Sequence, residues 1–265
     1  MKRWLKSARA ELIRDFTLAL RYPVEFFFGI FILYVLFLGM FIGAKQLAGN
    51  NALAGSLDGI VIGFCMWFFA LISINSMSVD IENEARQGTL EQVYLNAASF
   101  LGLLWVRGLV KIGLGAGSVV LLSILLQLTT GKYLNLSAAK ILPLVLIVTL
   151  TVTGLAGFGL VLGALSLVFK RIGQLSAVVQ FSLLFPAYID LSQLDSPWGD
   201  LLVHLPLARG VQMLKALLAE GASGVMDPAA LAWLLADTLA YVLLGSLVFA
   251  AMDRVARRGG MLAHY

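Results

Sequence analysis

Cysteine, histidine and charge are all scarce in this chain of 265 residues. It has one cysteine, Cys65, and two histidines, His204 and His264. A single cysteine excludes an internal disulfide framework and a thiolate metal cluster. The two histidines stand far apart and have no ligand partner at a recognisable spacing, so we expect no metal site.

Charged residues make up 13% of the chain and hydrophobic residues 60%, whereas charged residues are about a quarter of an average soluble domain. The mean hydropathy is +0.92. This composition predicts an integral membrane protein. Its length leaves room for several spanning helices with short loops, and for no large soluble domain beside them.

A phosphate-binding loop is also missing. Its pattern, GxxxxGK[ST], places backbone amides and a lysine around a nucleotide. The nearest stretch is TTGKY at 129–133, which lacks the first glycine and has Tyr133 where the hydroxyl residue belongs. We therefore do not expect ATP to bind to this chain by that route.

Long apolar runs are abundant instead. Six segments are nearly free of charge over the thickness of a bilayer, and each predicts a transmembrane helix. These predicted spans are 26–44, 59–79, 112–130, 141–169, 172–189 and 229–252. The predicted fold is an all-α polytopic membrane protein with a single transmembrane domain over 23–265.

The basic residues predict the orientation, because Lys and Arg in short loops remain on the cytoplasmic side. With both termini inside, most of the 19 lysines and arginines face the cytoplasm. The sequence therefore predicts a multi-pass protein of the cytoplasmic (inner) membrane with both termini cytoplasmic.

The first 22 residues are basic and also amphipathic. Trp4, Leu5, Ala8, Leu12 and Phe16 recur at helical spacing, while the basic residues lie mostly elsewhere. This pattern predicts a helix over 1–22 that lies in the inner interface against membrane lipid. Pro23 then ends it.

The most polar loop, 80–100, separates the second and third predicted spans. It reads DIENEARQGTLEQVYLNAASF. Thr89 and Gln92 have the spacing of a capping box, which predicts a short helix that starts after Thr89. We expect this helix to lie along the inner membrane face with its polar groups directed into the cytoplasm.

The stretch ENEARQGTLEQVYLNAAS resembles the cytoplasmic loop of the type 2 ABC exporter permeases, where an acidic pair and a GTLE-like box lie between transmembrane helices 2 and 3. In that family the loop is a coupling helix that docks into a separate ATPase subunit. Where the family often has proline after the box, this chain has Ala97 and Ala98. The resemblance implies an ATPase-subunit interface made by Glu82, Glu84, Arg86, Gly88, Thr89, Leu90 and Glu91.

A second match lies in the predicted outer loop, 190–228. The segment LPLARGVQMLKALLAEG at 205–221 resembles the family's proline followed by an apolar helix that ends in glycine, although the family often has Asn where this chain has Leu205. In relatives this segment belongs to a re-entrant helical hairpin in the outer leaflet. A re-entrant segment here would act as an outer gate. If it dips into the bilayer beside the fifth and sixth predicted spans, we expect its apolar face to be buried against them and Arg209 and Lys215 to reach lipid headgroups; an interfacial helix that stays outside is the alternative. The gate residues would be Pro206, Val211, Leu214 and Leu218.

The resemblance also implies partners. One copy would be half a pore, completed by a second permease chain, with a homodimer favoured, and served by two ABC ATPase subunits. ATP and Mg²⁺ would bind to those subunits. We expect no cofactor, no enzymatic activity and no nucleic acid on this chain itself.

Relatives export drugs, lipids, polysaccharides or teichoic acids along a path lined by their second and fifth helices. Here those helices are rich in aromatic and Met side chains, which suit a pliable apolar site and weakly favour a lipophilic, lipid-linked or glycan substrate. Packing within one subunit, or against lipid, is the alternative for each residue. The candidate path residues are Phe64, Met66, Trp67, Phe68, Phe181 and Phe185.

Asp237 lies inside the last predicted span, where a charge costs about 2.5–3.5 kcal/mol on insertion scales. We expect it to be protonated, paired or near an aqueous edge. An ion-coupled secondary transporter would use it as a coupling site, but such proteins usually show a repeated half, and we find no convincing repeat. A non-transporting scaffold would leave the charged inner loop unexplained.

Overall fold

The computed structural model describes residues 10–14, 16–17, 20–52, 57–96, 99–131, 136–169, 172–188, 202–219 and 227–258. Every regular element within these ranges is helical, which confirms the predicted all-α class. Residues 10–14, 16–17 and 20–21 are helical as well. The main helices are α1 (Pro23–Ala52), α2 (Leu57–Arg86), α3 (Leu90–Asn96), α4 (Phe100–Thr130), α5 (Ala138–Phe169), α6 (Gly173–Ser182), α7 (Leu184–Tyr188), α8 (Pro206–Leu218) and α9 (Pro228–Arg258).

Five helices are long and apolar enough to cross a membrane, namely α1, α2, α4, α5 and α9. They correspond to the first four predicted spans and the last one. Their length and composition make this chain a multi-pass membrane protein. Several helices continue beyond the apolar runs, so that charged residues expected in the 80–100 loop and just after it lie on the end of α2 and the start of α4.

The described residues do not confirm a sixth span over 172–189. There α6 has 10 residues and α7 has five, and neither reaches the length that a bilayer requires. Leu183 forms a turn between them. Pro186 accounts for this break, because a proline ring clashes with the carbonyl group four residues earlier, which here belongs to Ser182 at the end of α6.

The centre of the bundle is formed by α2 and α5, with α9 packed against α5 and α4 against α2. The closest approach of α5 and α9 is at Gly157 and Gly245, where a Cβ on Gly245 would overlap the Gly157 carbonyl oxygen. Such pairs of small residues are common between helices in lipid. By contrast, most of the large apolar side chains of α1 are exposed.

Two ends of the bundle matter for function. The predicted inner end contains α3, the start of α4 and the end of α9, and the predicted outer end contains α8 and the start of α9. Both names follow from the orientation that the basic residues predict.

Candidate functional site

The turn that leads into α3 depends on Gly88. Its φ is +70°, in the left-handed region that favours glycine. The Thr89 amide donates to the Glu84 carbonyl oxygen at 3.0 Å, which is the hydrogen bond of a Schellman C-cap. The Thr89 hydroxyl donates to the same carbonyl at 3.4 Å. As a result α2 ends, and α3 begins at Leu90 as the sequence predicted.

The short helix α3 has one buried face and one open face. Leu90 is 1% exposed, whereas Leu95 is 80% exposed. Glu91 is also exposed, and because it precedes Leu95 by four residues the two side chains share a face. We call Glu91 and Leu95 the docking face. The open face of α3 therefore includes one large apolar side chain and one acidic side chain.

Tyr94 anchors α3 to the end of α9. Its hydroxyl donates to Asp253 Oδ1 at 2.5 Å, and its ring stacks on Phe100, which in turn stacks on Phe249. Arg257 pairs with Asp253 and lies over the Tyr94 ring at 4.9 Å. Burial, followed by the nearby Asp253 carboxylate, raises the pKa of Tyr94. The phenol therefore stays protonated and remains a hydrogen-bond donor.

Arg107 of α4 joins two other parts of the predicted inner end. Its Nε donates to Glu11 at 2.7 Å, and its Nη1 donates to Glu84. All three side chains are half-buried, and Glu11 belongs to the predicted interfacial helix. A second ion pair joins Lys111 to Asp80. The Glu84 carboxylate, predicted to face the ATPase, is thus bound within the chain.

The remaining residues of the predicted ATPase interface are divided between the core and the surface. Gly88 and Glu91 are exposed, Thr89 is half-buried, and Glu82 and Leu90 are buried. Arg86 ends α2, but its side chain lies outside what the structure describes. Leu95 was missed by sequence reasoning; its position one helical turn after Glu91 was the available signal.

The candidate path residues fall into two groups. Phe64, Met66 and Trp67 are buried among the helices, and Phe68 is half-buried, whereas Phe181 and Phe185 are exposed. The structure does bring Trp67 and Phe181 together, with ring centroids 6.0 Å apart. The Trp67 indole also donates to the Gln180 carbonyl oxygen at 2.8 Å, which holds α6 against α2.

A cavity of about 430 Å³ opens beside Phe68, between α2 and α4. Its lining is apolar over most of its length and polar near the predicted inner end, where Asn75, Ser76 and Lys111 contribute. Asn75 accepts a hydrogen bond from Gln180 Nε2 at 2.7 Å. A cavity with an apolar wall and a few convergent polar groups suits an amphiphilic ligand. Its lining is Phe68, Leu71, Ile72, Asn75, Ser76, Val79 and Lys111.

At the predicted outer end, α8 is packed into the bundle by the residues predicted to form the gate. Pro206, Val211, Leu214 and Leu218 are all buried. The helix lies mainly against α5 and α2, and less against α9 and α7, so its main contacts differ from the fifth and sixth predicted spans that we expected. It approaches α5 closely at Gly210, where a Cβ would overlap the Thr151 side chain.

Both ends of α8 carry polar contacts to the bundle. The buried Lys140 of α5 donates to the Ala219 carbonyl oxygen at 3.4 Å, and a cation there complements the negative end of the helix dipole. Near its start, Arg209 Nε donates to Asp237 Oδ2 of α9 at 2.8 Å.

Asp237 is therefore paired, one of the three states expected for it. His204 Nδ1 lies 3.0 Å from its other oxygen. The Arg209 guanidinium lies 5.8 Å from the centroid of the Trp233 ring. Arg209 thus binds the buried carboxylate of Asp237, two helical turns into α9, and a contact of Arg209 with lipid headgroups stays a prediction. Lys215 has its own contact, close to Gly59 of α2.

The second arm of the predicted outer hairpin falls on residues 189–201 and 220–226, outside the described residues. Whether α8 re-enters a bilayer stays a prediction. Among the residues that the structure describes, no group of three or more His, Cys, Asp or Glu side chains could hold a metal ion.

Comparison of the sequence with models of known protein families gives no match, and comparison with curated proteins gives none either. The class of protein is therefore defined by the fold alone. It is an all-helical, multi-pass membrane protein with a short, partly open helix at one end and a buried apolar helix at the other.

Proposed function

We propose that this chain is the transmembrane permease subunit of an ATP-driven exporter of the type 2 ABC class. The observation that carries the proposal is α3. It is a separate seven-residue helix, held by Leu90 and Tyr94 on one side and open on the other. A connection between two spans needs no such helix, whereas a coupling element needs an anchored face and a face for its partner.

The partner is a separate ABC ATPase subunit, two copies per transporter, which binds ATP and Mg²⁺. Its cleft would receive Leu95 as the apolar anchor and place a basic or amide group beside Glu91. Interfaces of this kind depend on a few buried anchors, while charged residues at the rim set orientation and association rate. We call the ion pair of Glu84 and Arg107 the platform. It stabilises the predicted inner end beneath the docking face, and it does not touch the partner.

The pore is formed with a second permease chain, most simply another copy of this one. Support comes from the exposed apolar side chains of α1, α6 and α7, which include Phe181 and Phe185. Exposed apolar side chains of this kind can contact either membrane lipid or the second permease chain. The proposed cargo is a lipophilic, lipid-linked or glycan molecule that moves outward, because the cavity beside Phe68 combines an apolar wall with Asn75, Ser76 and Lys111.

An ion-coupled transporter that uses Asp237 is the less favoured reading. A coupling carboxylate must exchange its ion or proton, but Asp237 is buried and already paired with Arg209 and His204. This arrangement supports a structural role at the start of α9.

The docking proposal is tested by purifying the chain with the products of its neighbouring genes from native membranes. We expect an ATPase at one-to-one stoichiometry whose ATP hydrolysis is vanadate-sensitive. Leu95→Ala should reduce the amount retained at least tenfold, because it removes the apolar anchor. Leu136→Ala is the matched control, since Leu136 is an exposed leucine at the predicted outer end. Equal retention by Leu95→Ala and the control would contradict the proposal.

The orientation is tested with single cysteines in a Cys65→Ala background. Gln87→Cys, at the exposed turn before α3, should be protected from an impermeant thiol reagent added outside intact cells. Leu136→Cys should be labelled. The reverse pattern would overturn the predicted topology.

A further inference from the structure

α9 is held at two points along its length by hydrogen bonds to its own carboxylates. At the predicted inner end, Tyr94 of α3 donates to Asp253; we call this contact the inner tie. At the predicted outer end, Arg209 of α8 donates to Asp237; this contact is the outer tie. With a rise of 1.5 Å per residue, the two carboxylates stand about 24 Å apart along the helix axis.

The helix between the two ties is continuous and well supported. It has 31 residues and no proline after its first position. Between the ties it lies against α5, where Gly245 touches Gly157 and Tyr241 meets Phe158 edge to face. α9 is one unbroken helix between the ties, so a shift at one tie is passed along it to the other.

The two ties bind the two short helices that we assign to docking and to the outer gate. We propose that α9 is a mechanical link between them, in which displacement of α3 shifts α9 and thereby loosens or tightens α8. Tyr94, Asp253, Arg209 and Asp237 are the positioning residues of this link. The inference rests on the proposed function, since a docked ATPase is what would move α3.

Neither tie is easily replaced by water. Asp237 is buried, and Arg209, Tyr94 and Asp253 are half-buried. Each tie involves a carboxylate, and hydrogen bonds to charged groups are roughly twice as strong as those between neutral groups. The Tyr94 ring also stacks on Phe100 of α4, which in turn stacks on Phe249 of α9, so α3 has a second, indirect contact with α9.

The test uses the purified full-length chain in lipid nanodiscs without ATPase or ATP, where both membrane faces are accessible. In a Cys65→Ala background, Leu217→Cys places a reporter thiol on the buried face of α8. Its rate of labelling by a maleimide measures how often α8 leaves the bundle. Ala216→Cys, on the exposed face of the same helix, measures reagent access.

Tyr94→Phe removes the inner tie and keeps the ring stack. We expect it to raise the labelling rate of the Leu217→Cys reporter at least threefold, although the change lies at the opposite end of α9. Tyr22→Phe is the matched control, because Tyr22 is exposed and precedes α1, so it is part of neither tie. A reporter at Leu126→Cys, buried in α4, should be unaffected by Tyr94→Phe, which distinguishes transmission through α9 from general loosening.

The double variant decides the mechanism. Arg209→Gln alone should raise labelling of the same α8 reporter, and adding Tyr94→Phe should then leave that rate unchanged, because a broken link transmits nothing further. Independent sites this far apart would instead act multiplicatively, within about a factor of two. Asp253→Ala breaks the inner tie from the α9 side and should raise the labelling rate as Tyr94→Phe does. It replaces Tyr94→Phe in the test if the Tyr94→Phe variant folds poorly.

The proposal is overturned if Tyr94→Phe and Asp253→Ala both label like Tyr22→Phe, or if the double variant shows multiplied rates. Because no ATPase is present, that failure would leave the permease proposal intact. Conversely, if the docking test failed and the labelling test succeeded, the link through α9 would stand, but the ATPase could no longer be named as the partner that moves α3.

Discussion

α3 and α8 are both short helices outside the five long ones, yet the bundle holds them in opposite ways. α8 buries eight of its 13 residues and is pinned at both ends. α3 buries Leu90 and leaves Leu95 80% exposed. Changes to α8 should therefore act on the stability of the bundle, whereas changes to the docking face should act on association if the proposed function holds.

Their ion pairs show a second contrast. At the predicted inner end, one guanidinium, that of Arg107, serves the two carboxylates of Glu11 and Glu84. At the predicted outer end, one carboxylate, that of Asp237, is contacted by Arg209 and His204. Replacing the shared partner therefore leaves two like charges at the inner end and an unpaired guanidinium at the outer end.

The largest effect is expected from the double variant Leu214→Asp, Leu218→Asp. Two unpaired carboxylates on the buried face of α8 would lower the free energy of unfolding by more than about 4 kcal/mol if the helix stayed in place, so we expect it to leave the bundle. If the proposed function holds, the chain should still assemble with its ATPase subunits, which should hydrolyse ATP without net export. Export would be measured in vesicles.

Ala216→Asp is its matched control, because Ala216 is exposed on the same helix and a carboxylate there stays in contact with solvent or headgroups. It should export normally. Normal export by the double variant as well would show that α8 is a surface segment and that the gate lies elsewhere.

A smaller loss is expected from Asp237→Asn. The amide keeps the shape of the carboxylate but leaves the half-buried Arg209 without its counter-charge, which should lower the free energy of unfolding by about 2–3 kcal/mol. Thermal unfolding in detergent would measure it. Adding Arg209→Gln should restore part of the loss. An unchanged unfolding temperature in Asp237→Asn would mean that the pair contributes nothing to stability.

The smallest effects compare two glutamates of the same loop. Glu84→Lys would place a second cation against Arg107 and should lower the free energy of unfolding by about 1–2 kcal/mol, discounted because the pair is only half-buried. Glu91→Lys lies on the docking face and should change it by less than about 0.5 kcal/mol, while weakening retention of the ATPase. Unfolding and co-purification would be measured on both variants. Equal stability of the two would argue against the division of this loop into platform and docking face.

Much of the fold was readable because its signals are local. An apolar run of about 20 residues must become a helix in a bilayer, since unsatisfied backbone groups are costly there. Five of the six predicted spans were found in this way. α3 begins at Leu90, directly after Thr89 as predicted, while the capping box of Thr89 and Gln92 stays a prediction. The span over 172–189 was not confirmed. Pro186 could have indicated this from the sequence, because proline interrupts a helix.

The pairings of the charged side chains were not readable, because they join residues distant in the sequence. Glu11 meets Arg107, and Arg209 meets Asp237, only after the helices pack. Sequence reasoning placed Glu84 at the docking surface and Arg209 among lipid headgroups. It treated each charge as facing solvent, whereas in the folded chain both are half-buried and paired with a residue of another helix.

The sequence by itself therefore determined the class of the protein and the positions of its long helices, because hydrophobic length and helix-ending residues act within one stretch of chain. Tertiary structure alone decided which of the charged residues are exposed and which are buried and paired. The reason is that the burial of a charge depends on the helices around it. Arg107 buries part of Glu84, whereas Glu91 and Leu95 stay exposed. In the same way, α8 supplies the arginine that Asp237 lacks nearby on its own helix.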